Sequence, residues 1–193
     1  MSLRETGNFT EECVRGKLES HGLEVRKPVP DRGVDLETWL PSDPSRIARI
    51  QVKGRNPRKI ATYRWFQLRV SAAQLAAARD AGKLPEAAWQ DKIGKADFLI
   101  LHSVNADETW IFPHHLALEL IRLNERKYGK RPDNIFTFDE PLKGKQKEIN
   151  LDIMVDHMTL TERFKDCLEN FDPILEFLSH KKIKNPVNDN FHP

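Results

Sequence analysis

Val34-Asp35-Leu36-Glu37 and, after a short gap, Arg49-Ile50-Gln51-Val52-Lys53 decide how this chain is read. Both stretches have the period-2 character of β-strands. In the first, Val34, Leu36 and Leu40 share one face and Asp35 and Glu37 the other. In the second, Ala48, Ile50 and Val52 point one way, and Arg49, Gln51 and Lys53 the opposite way. Pro41-Ser42-Asp43-Pro44-Ser45 between them is dense in turn formers, so a hairpin is the expected connection. Such a hairpin brings a carboxylate, a carboxamide and an ammonium to one place. Carboxylate and amide oxygens are hard ligands suited to Mg2+. A neighbouring lysine can orient a water or stabilise charge developing on a phosphate. The plainer reading of an Asp and a Lys on adjacent strands is a solvated cross-strand ion pair, so the surroundings must discriminate.

Charge distribution is the first discriminator. Net charge is only +2, yet no Asp or Glu occurs between Pro44 and Arg79. That window holds Arg46, Arg49, Lys53, Arg55, Arg58, Lys59, Arg64, Arg69 and Arg79, with Tyr63 and Trp65 interleaved. Cations that can meet phosphates, together with rings that can stack, fit a polyanionic partner. A solvated face balanced by acids elsewhere in the fold is the alternative.

The 193 residues suit one domain with an appendage. Hydrophobic residues make up 39% and charged residues 31%, in the ordinary range for a globular protein. No apolar run reaches transmembrane length and no signal-peptide core opens the chain, so a cytoplasmic location is expected. Cys13 and Cys167 have no metal-type spacing and read as free thiols. There is no Gly-rich phosphate loop, zinc spacing or internal repeat.

Along the chain, a first helix is expected from about Thr10, as its cap, to His21, stopped by Gly22. Its stripe of Glu11, Val14 and Leu18 puts Glu11 at the end of the apolar face and turns Glu12 away. A strand over Leu23–Val29 comes next, followed by the hairpin. A further strand is expected over Thr62–Val70, and the Ser71-Ala72-Ala73-Gln74 capping box opens a helix ending at Gly82. Asp97–Val104 is a buried-type apolar strand with Glu108–Phe112 as its hairpin partner, and Pro113 opens a helix. His102 reads as a core histidine. The adjacent His114 and His115 point in different directions on a helix and so make a poor acid–base pair. Trp65 and Trp110 suit a core as well as a stacking platform.

The order of these elements, the early helix acid, Gly33-Val34-Asp35 on the second strand and Gln51-Val52-Lys53 on the third resemble the PD-(D/E)XK nuclease superfamily. The similarity runs over roughly residues 9–116 and includes Ala96–Ile100 with Thr109–Pro113. The resemblance implies an α/β fold of the restriction-endonuclease type, a mixed β-sheet flanked by helices. It implies a metal-dependent endonuclease that hydrolyses DNA phosphodiester bonds, of restriction, homing or repair type. By position, Asp35 matches the metal-binding aspartate, Gln51 stands where Asp or Glu is usual, Lys53 matches the lysine, and Glu11 fits the helix acid better than Glu12. Mg2+, with Mn2+ able to replace it, is then expected at Glu11, Asp35, Gln51 and the Val52 carbonyl. Glu37 shares the face of Asp35 and is a further possible ligand. Two departures stand out. Gln51 is neutral, and Gly33 precedes Val34-Asp35, so the eponymous Pro-Asp pair is not intact. The competing expectation is a protein that keeps this fold and binds DNA without cutting it.

Arg55, Arg58, Lys59, Arg64 and Arg69 are assigned to DNA on charge alone. Residues 1–127 form the expected nuclease core, 128–183 a mainly helical extension, and 184–193 a loose tail. Within the extension, Ile135–Phe138 has strand character, and Phe164, Leu168, Phe171, Leu175 and Leu178 make an apolar stripe. That stripe suits core packing or the interface of a homodimer, whose two sites would match the two strands of a duplex.

Overall fold

The structure, a computed structural model, describes residues 3–29, 33–54, 65–69, 93–104, 107–120, 133–137 and 160–179, with short pieces at 73, 76–77 and 80–82. Helix α1 spans Leu3–Ser20 and so begins well before Thr10. Thr10 is not its cap but an interior residue, 1% exposed. Of the residues ahead of it Gly7 is the poorest helix former, and one glycine costs about 1 kcal/mol, too little to stop it. The far end follows the sequence closely. Gly22 adopts φ +79°, its N–H donates to the Glu19 carbonyl at 2.9 Å, and Leu23 N–H donates to the Leu18 carbonyl at 3.3 Å. That pair of bonds is a Schellman stop, a conformation glycine reaches without a Cβ penalty.

Strand β1 is short, Glu24–Arg26. Pro28 has no N–H to give and drives the residue before it out of a regular ladder, so the strand ends ahead of Lys27 rather than at Val29. Strand β2 spans Leu36–Leu40 and β3 spans Asp43–Gly54. Their turn is tighter than expected, Pro41-Ser42 alone, with Leu40 opposite Asp43. Asp43 Oδ1 accepts from Ser45 Oγ at 2.6 Å and from Ser45 N–H at 3.3 Å, so the turn-forming residues 43–45 are held extended by their own side chains.

Strand β5 (Phe98–Ser103) pairs in parallel with β3, and β6 (Glu108–Pro113) returns antiparallel to β5. The sheet order is β1-β2-β3-β5-β6, and every residue of β5 is buried, as its near-continuous apolar sequence foretold, His102 and Ser103 included. Residues 114–120 then form helix α2 behind Pro113. The strand expected over Thr62–Val70 is present as β4, Trp65–Arg69, but it does not enter this sheet. It pairs antiparallel with β7, Asp133–Thr137, in a separate two-stranded sheet. The place beside β3 goes to the strand that is apolar on both faces. β4, which alternates Phe66 and Leu68 with Gln67 and Arg69, suits a ribbon with one apolar side.

Alternation sorts the core onto the two faces of the sheet. Leu36, Ala48, Ile50, Val52, Phe98 and Ile100 cluster with Val14 and Leu18 of α1. Leu99 and Leu101 join Trp110, Phe112, Ala117, Leu120 and Phe164 in the other cluster. The C-terminal extension supplies a short helix α3 (Leu160–Arg163) and α4 (Asp172–Ser179). Phe164 is 3% exposed, and Phe171, Ile174 and Leu178 are 3%, 0% and 2% exposed. At about 1.5–3 kcal/mol for each large apolar side chain buried, these positions belong to the chain's own core. Of the stripe Phe164, Leu168, Phe171, Leu175 and Leu178, the first, third and fifth are thus buried in the chain's own core, while Leu168 and Leu175 are only partly buried against it.

Candidate active site

Gly33, at φ +86°, turns the chain into Val34-Asp35 just before β2. Asp35 N–H donates to the Ile50 carbonyl of β3 at 2.9 Å, which places its side chain beside the end of that strand. Oδ2 of Asp35 accepts the Val52 N–H at 2.7 Å and a hydrogen bond from Gln51 Nε2. Lys53 Nζ stands 3.5 Å from the same oxygen and donates to the Val52 carbonyl at 2.9 Å. Exposure rises outward through the set: Gln51 is 4% exposed, and the Asp35 and Lys53 side chains 15% and 26%. The residues that strand parity put on one side thus meet at one carboxylate.

The helix acid joins them across an opening. Gly7, Asn8 and Glu11 of α1 line a pocket of about 400 Å³ together with Lys27, Pro28, Val34 and Asp35. Glu11 reaches that wall because α1 lies close on the end of β3. A Cβ built on Gly54 would overlap the buried Thr10 side chain, so only glycine at 54 permits this approach. The Glu11 side chain is 20% exposed and that of Glu12 50%. Lys27 bridges the two, with Nζ 3.0 Å from Glu11 Oε2 and 3.2 Å from Glu12 Oε1. The hydrogen bond to Glu11, helped by Glu12, holds the Lys27 ammonium above the usual lysine pKa against its partial burial. Lys27 was not singled out in the sequence. It lies outside the motif, and nothing in strand parity aims it at the helix.

The remaining expected residues fall elsewhere. Glu37 Oε2 is taken by Arg26, through Nε and Nη2 both at 2.8 Å, so its charge is committed outside the pocket. Arg69 closes β4 on the second sheet, while Arg55, Arg58, Lys59 and Arg64 lie outside the described residues. His102 is 1% exposed, with Nδ1 3.1 Å from Thr109 Oγ1. Burial, followed by the charge of Lys17, pushes its pKa down. His114 Nδ1 donates to the Ala96 carbonyl at 2.9 Å, His115 is exposed, and Trp110 is fully buried.

Among the described residues, no three His, Cys, Asp or Glu side chains gather as a metal cluster. The pocket wall offers the carboxylates of Glu11 and Asp35, and beside Asp35 stand the Gln51 carboxamide and the Val52 carbonyl, which accepts from Lys53. These are hard oxygens, and they fit a small hard dication such as Mg2+. The two carboxylates are each met by a lysine, Lys53 at Asp35 and Lys27 at Glu11.

No protein-family model matches the chain, and no curated protein does either. The sheet order and its flanking helices define a mixed α/β fold. Among solved structures it is similar to the bacterial homing endonuclease I-Ssp6803I, with TM-score 0.51 and 15% identity, covering 91% of this chain and 92% of that one. At that identity the likeness is one of fold. No helix among the described residues is long and apolar enough to cross a membrane.

Proposed function

We propose that this protein is a Mg2+-dependent endonuclease that hydrolyses DNA phosphodiester bonds at the pocket between α1 and the segments that follow β1 and lead into β2. The observation that carries the reading is the meeting of Asp35, Gln51 and Lys53 at one carboxylate, with Glu11 on the wall of the same pocket. The fold shared with a homing endonuclease supports it.

Glu11, Asp35, the Gln51 oxygen and the Val52 carbonyl would hold the ion. When bound, it would supply charge neutralisation of a phosphate and a water of lowered pKa. The protein's own share is orientation. Val52 N–H fixes the Asp35 carboxylate, much as outer hydrogen bonds orient the ligands of other metal sites. The Lys53 ammonium, anchored on the Val52 carbonyl, stands where it can hold a water or face charge on a phosphate oxygen. Arg55, Arg58, Lys59, Arg64 and Arg69 are assigned to flanking phosphates. A homodimer belongs to the same reading on the symmetry of duplex DNA, which needs two such sites for two strands.

Incubation with supercoiled, linear and branched DNA, with and without Mg2+, is the test. Wild-type protein is expected to cut in Mg2+ or Mn2+ and not in chelator. Lys53→Ala should slow cutting by about 100-fold or more, the scale of losing one preorganised charge stabiliser. DNA bound tightly but never cut in either ion would leave a non-cleaving DNA-binding protein instead.

A further inference from the structure

Two acids face the pocket and each has a lysine, but the two lysines are placed differently. Lys53 is rooted in β3, the strand that carries Gln51, and donates to a carbonyl of its own strand. Lys27 comes from the segment after β1 and, among the described residues, its ammonium pairs with two helix acids, Glu11 on the pocket side and Glu12 on the solvent side. Its backbone is set between the end of β1 and Pro28, so the stem is fixed while the side chain stays 37% exposed. Nζ is nearly equidistant from the two carboxylates, 3.0 and 3.2 Å. Such an ammonium can leave Glu11 without losing an ionic partner.

From this geometry we infer that Lys27 is a tethered counter-ion that governs metal loading of the site. It neutralises Glu11 while the pocket holds no ion, and passes to Glu12 when the Glu11 carboxylate turns to a divalent cation. The inference rests on the nuclease reading of this pocket. It makes Lys27 and Glu12 positioning residues: they act through Glu11 and touch no reacting atom. Two facing carboxylates without counter-ions would repel one another, so the device keeps the empty pocket folded. It does so at the expense of ion affinity. Glu12, which the helix directs away from the pocket, thereby acquires a role as the place where the displaced ammonium rests.

The test is calorimetric titration of the whole protein with Mg2+ or Mn2+, without DNA, with thermal melts to verify folding. Lys27→Met should tighten binding by about tenfold, the scale of one unit charge acting on a dication across a few ångströms of well-screened medium. Lys27→Arg should stay near wild type, and Glu12→Gln should weaken binding by keeping the ammonium on Glu11. In a Glu11→Gln background, Lys27→Met should change nothing, whereas a mere long-range charge effect would tighten binding there equally. Lys27→Gln serves if the methionine variant does not fold. Unchanged or weaker binding in Lys27→Met, or an equal gain with and without Glu11, overturns the inference while Asp35→Ala still abolishes binding. If Asp35→Ala binds like wild type, or wild type binds no divalent ion, the nuclease reading itself falls.

Discussion

Two polar clusters beside helix α1 look alike on paper. At one, Asp35 accepts a strand N–H from Val52 and stands 3.5 Å from Lys53. At the other, Glu169 Oε1 accepts the Thr109 N–H of β6 at 2.5 Å and lies 3.0 Å from Lys17 of α1. Each is a carboxylate that meets a strand amide and a lysine. They differ in what the remaining bonds do. Glu169 returns its own N–H to the Thr109 carbonyl at 2.7 Å, and Lys17 also donates to the Asp107 carbonyl at 3.1 Å. The second cluster thus straps the helix, the β5–β6 turn and the C-terminal segment together. Asp107 and Glu169 both sit at left-handed φ, +48° and +49°, a conformation held by those bonds. The first cluster instead opens on a pocket shared with a second acid, Glu11. A charged pair becomes a site when one side of it is left for something else.

The largest expected effect tests that contrast directly. Asp35→Asn should reduce Mg2+-dependent cleavage by about 100-fold or more and barely move the melting temperature. Glu169→Ala should do the opposite. Leaving the buried Thr109 amide without its acceptor is expected to cost about 1–3 kcal/mol, several degrees of melting temperature for a chain of this size. Cleavage well below the melt should be unchanged. If Glu169→Ala abolishes cutting at full stability, the strap and the site are not separate.

Gly54→Ala comes next. Its new methyl group would drive against Thr10, at a cost of about 1–3 kcal/mol typical of overpacking. By lifting α1 it should reduce cleavage as well, through Glu11. In a Thr10→Ala background the same change should cost less, since the two positions share one contact. Additive losses by chemical denaturation would show that the helix does not rest on Gly54.

The smallest effect concerns pH. His102 has its pKa pushed below the ordinary 6.5, chiefly by burial. The folded state therefore resists protonation that the unfolded state accepts. This contribution to stability is complete above 6.5 and is lost as pH falls through the lower folded value. Denaturation curves should show stability declining below about pH 6.5, and His102→Gln should flatten that slope. The Lys17 ammonium responds at the other extreme. Burial alone would lower its pKa, but the hydrogen bonds and charges of Glu169 and Asp107 outweigh burial and raise it. The strap should therefore loosen only in strong alkali.

Much of the hairpin was legible because side-chain direction in a strand depends on parity alone. Asp35, Gln51 and Lys53 had to share a side once Leu36, Ile50 and Val52 were assigned to the core. The β5–β6 pair and the stop at Gly22 were legible for similar local reasons. What escaped depends on distant partners. Thr10 reads as a helix cap until it is seen packed against Gly54, and Pro41–Ser45 reads as a loop until Asp43 is seen bonding its own neighbour. Nothing local tells that β4 leaves the sheet for β7, or that the stripe from Phe164 to Leu178 closes the chain's own core. Lys27 is the case that matters most for the site. One ammonium after a short strand carries no periodic signal, and its importance lies entirely in which helix crosses above it.

The seat of α4 has a consequence for how the molecule is made. Phe171, Ile174 and Leu178 finish the apolar cluster that Val14, Leu18, Leu36 and Ile50 begin. A ribosome delivers the hairpin with Asp35, Gln51 and Lys53 long before it delivers that cover. The nascent hairpin must wait with Leu36, Ile50 and later Phe98 open to water, and closure of the cluster is a contact of long sequence separation, hence slow. A shortened chain ending ahead of Phe171 would keep every proposed metal ligand and still be a poor miniature enzyme, because its naked sheet face would seek another chain.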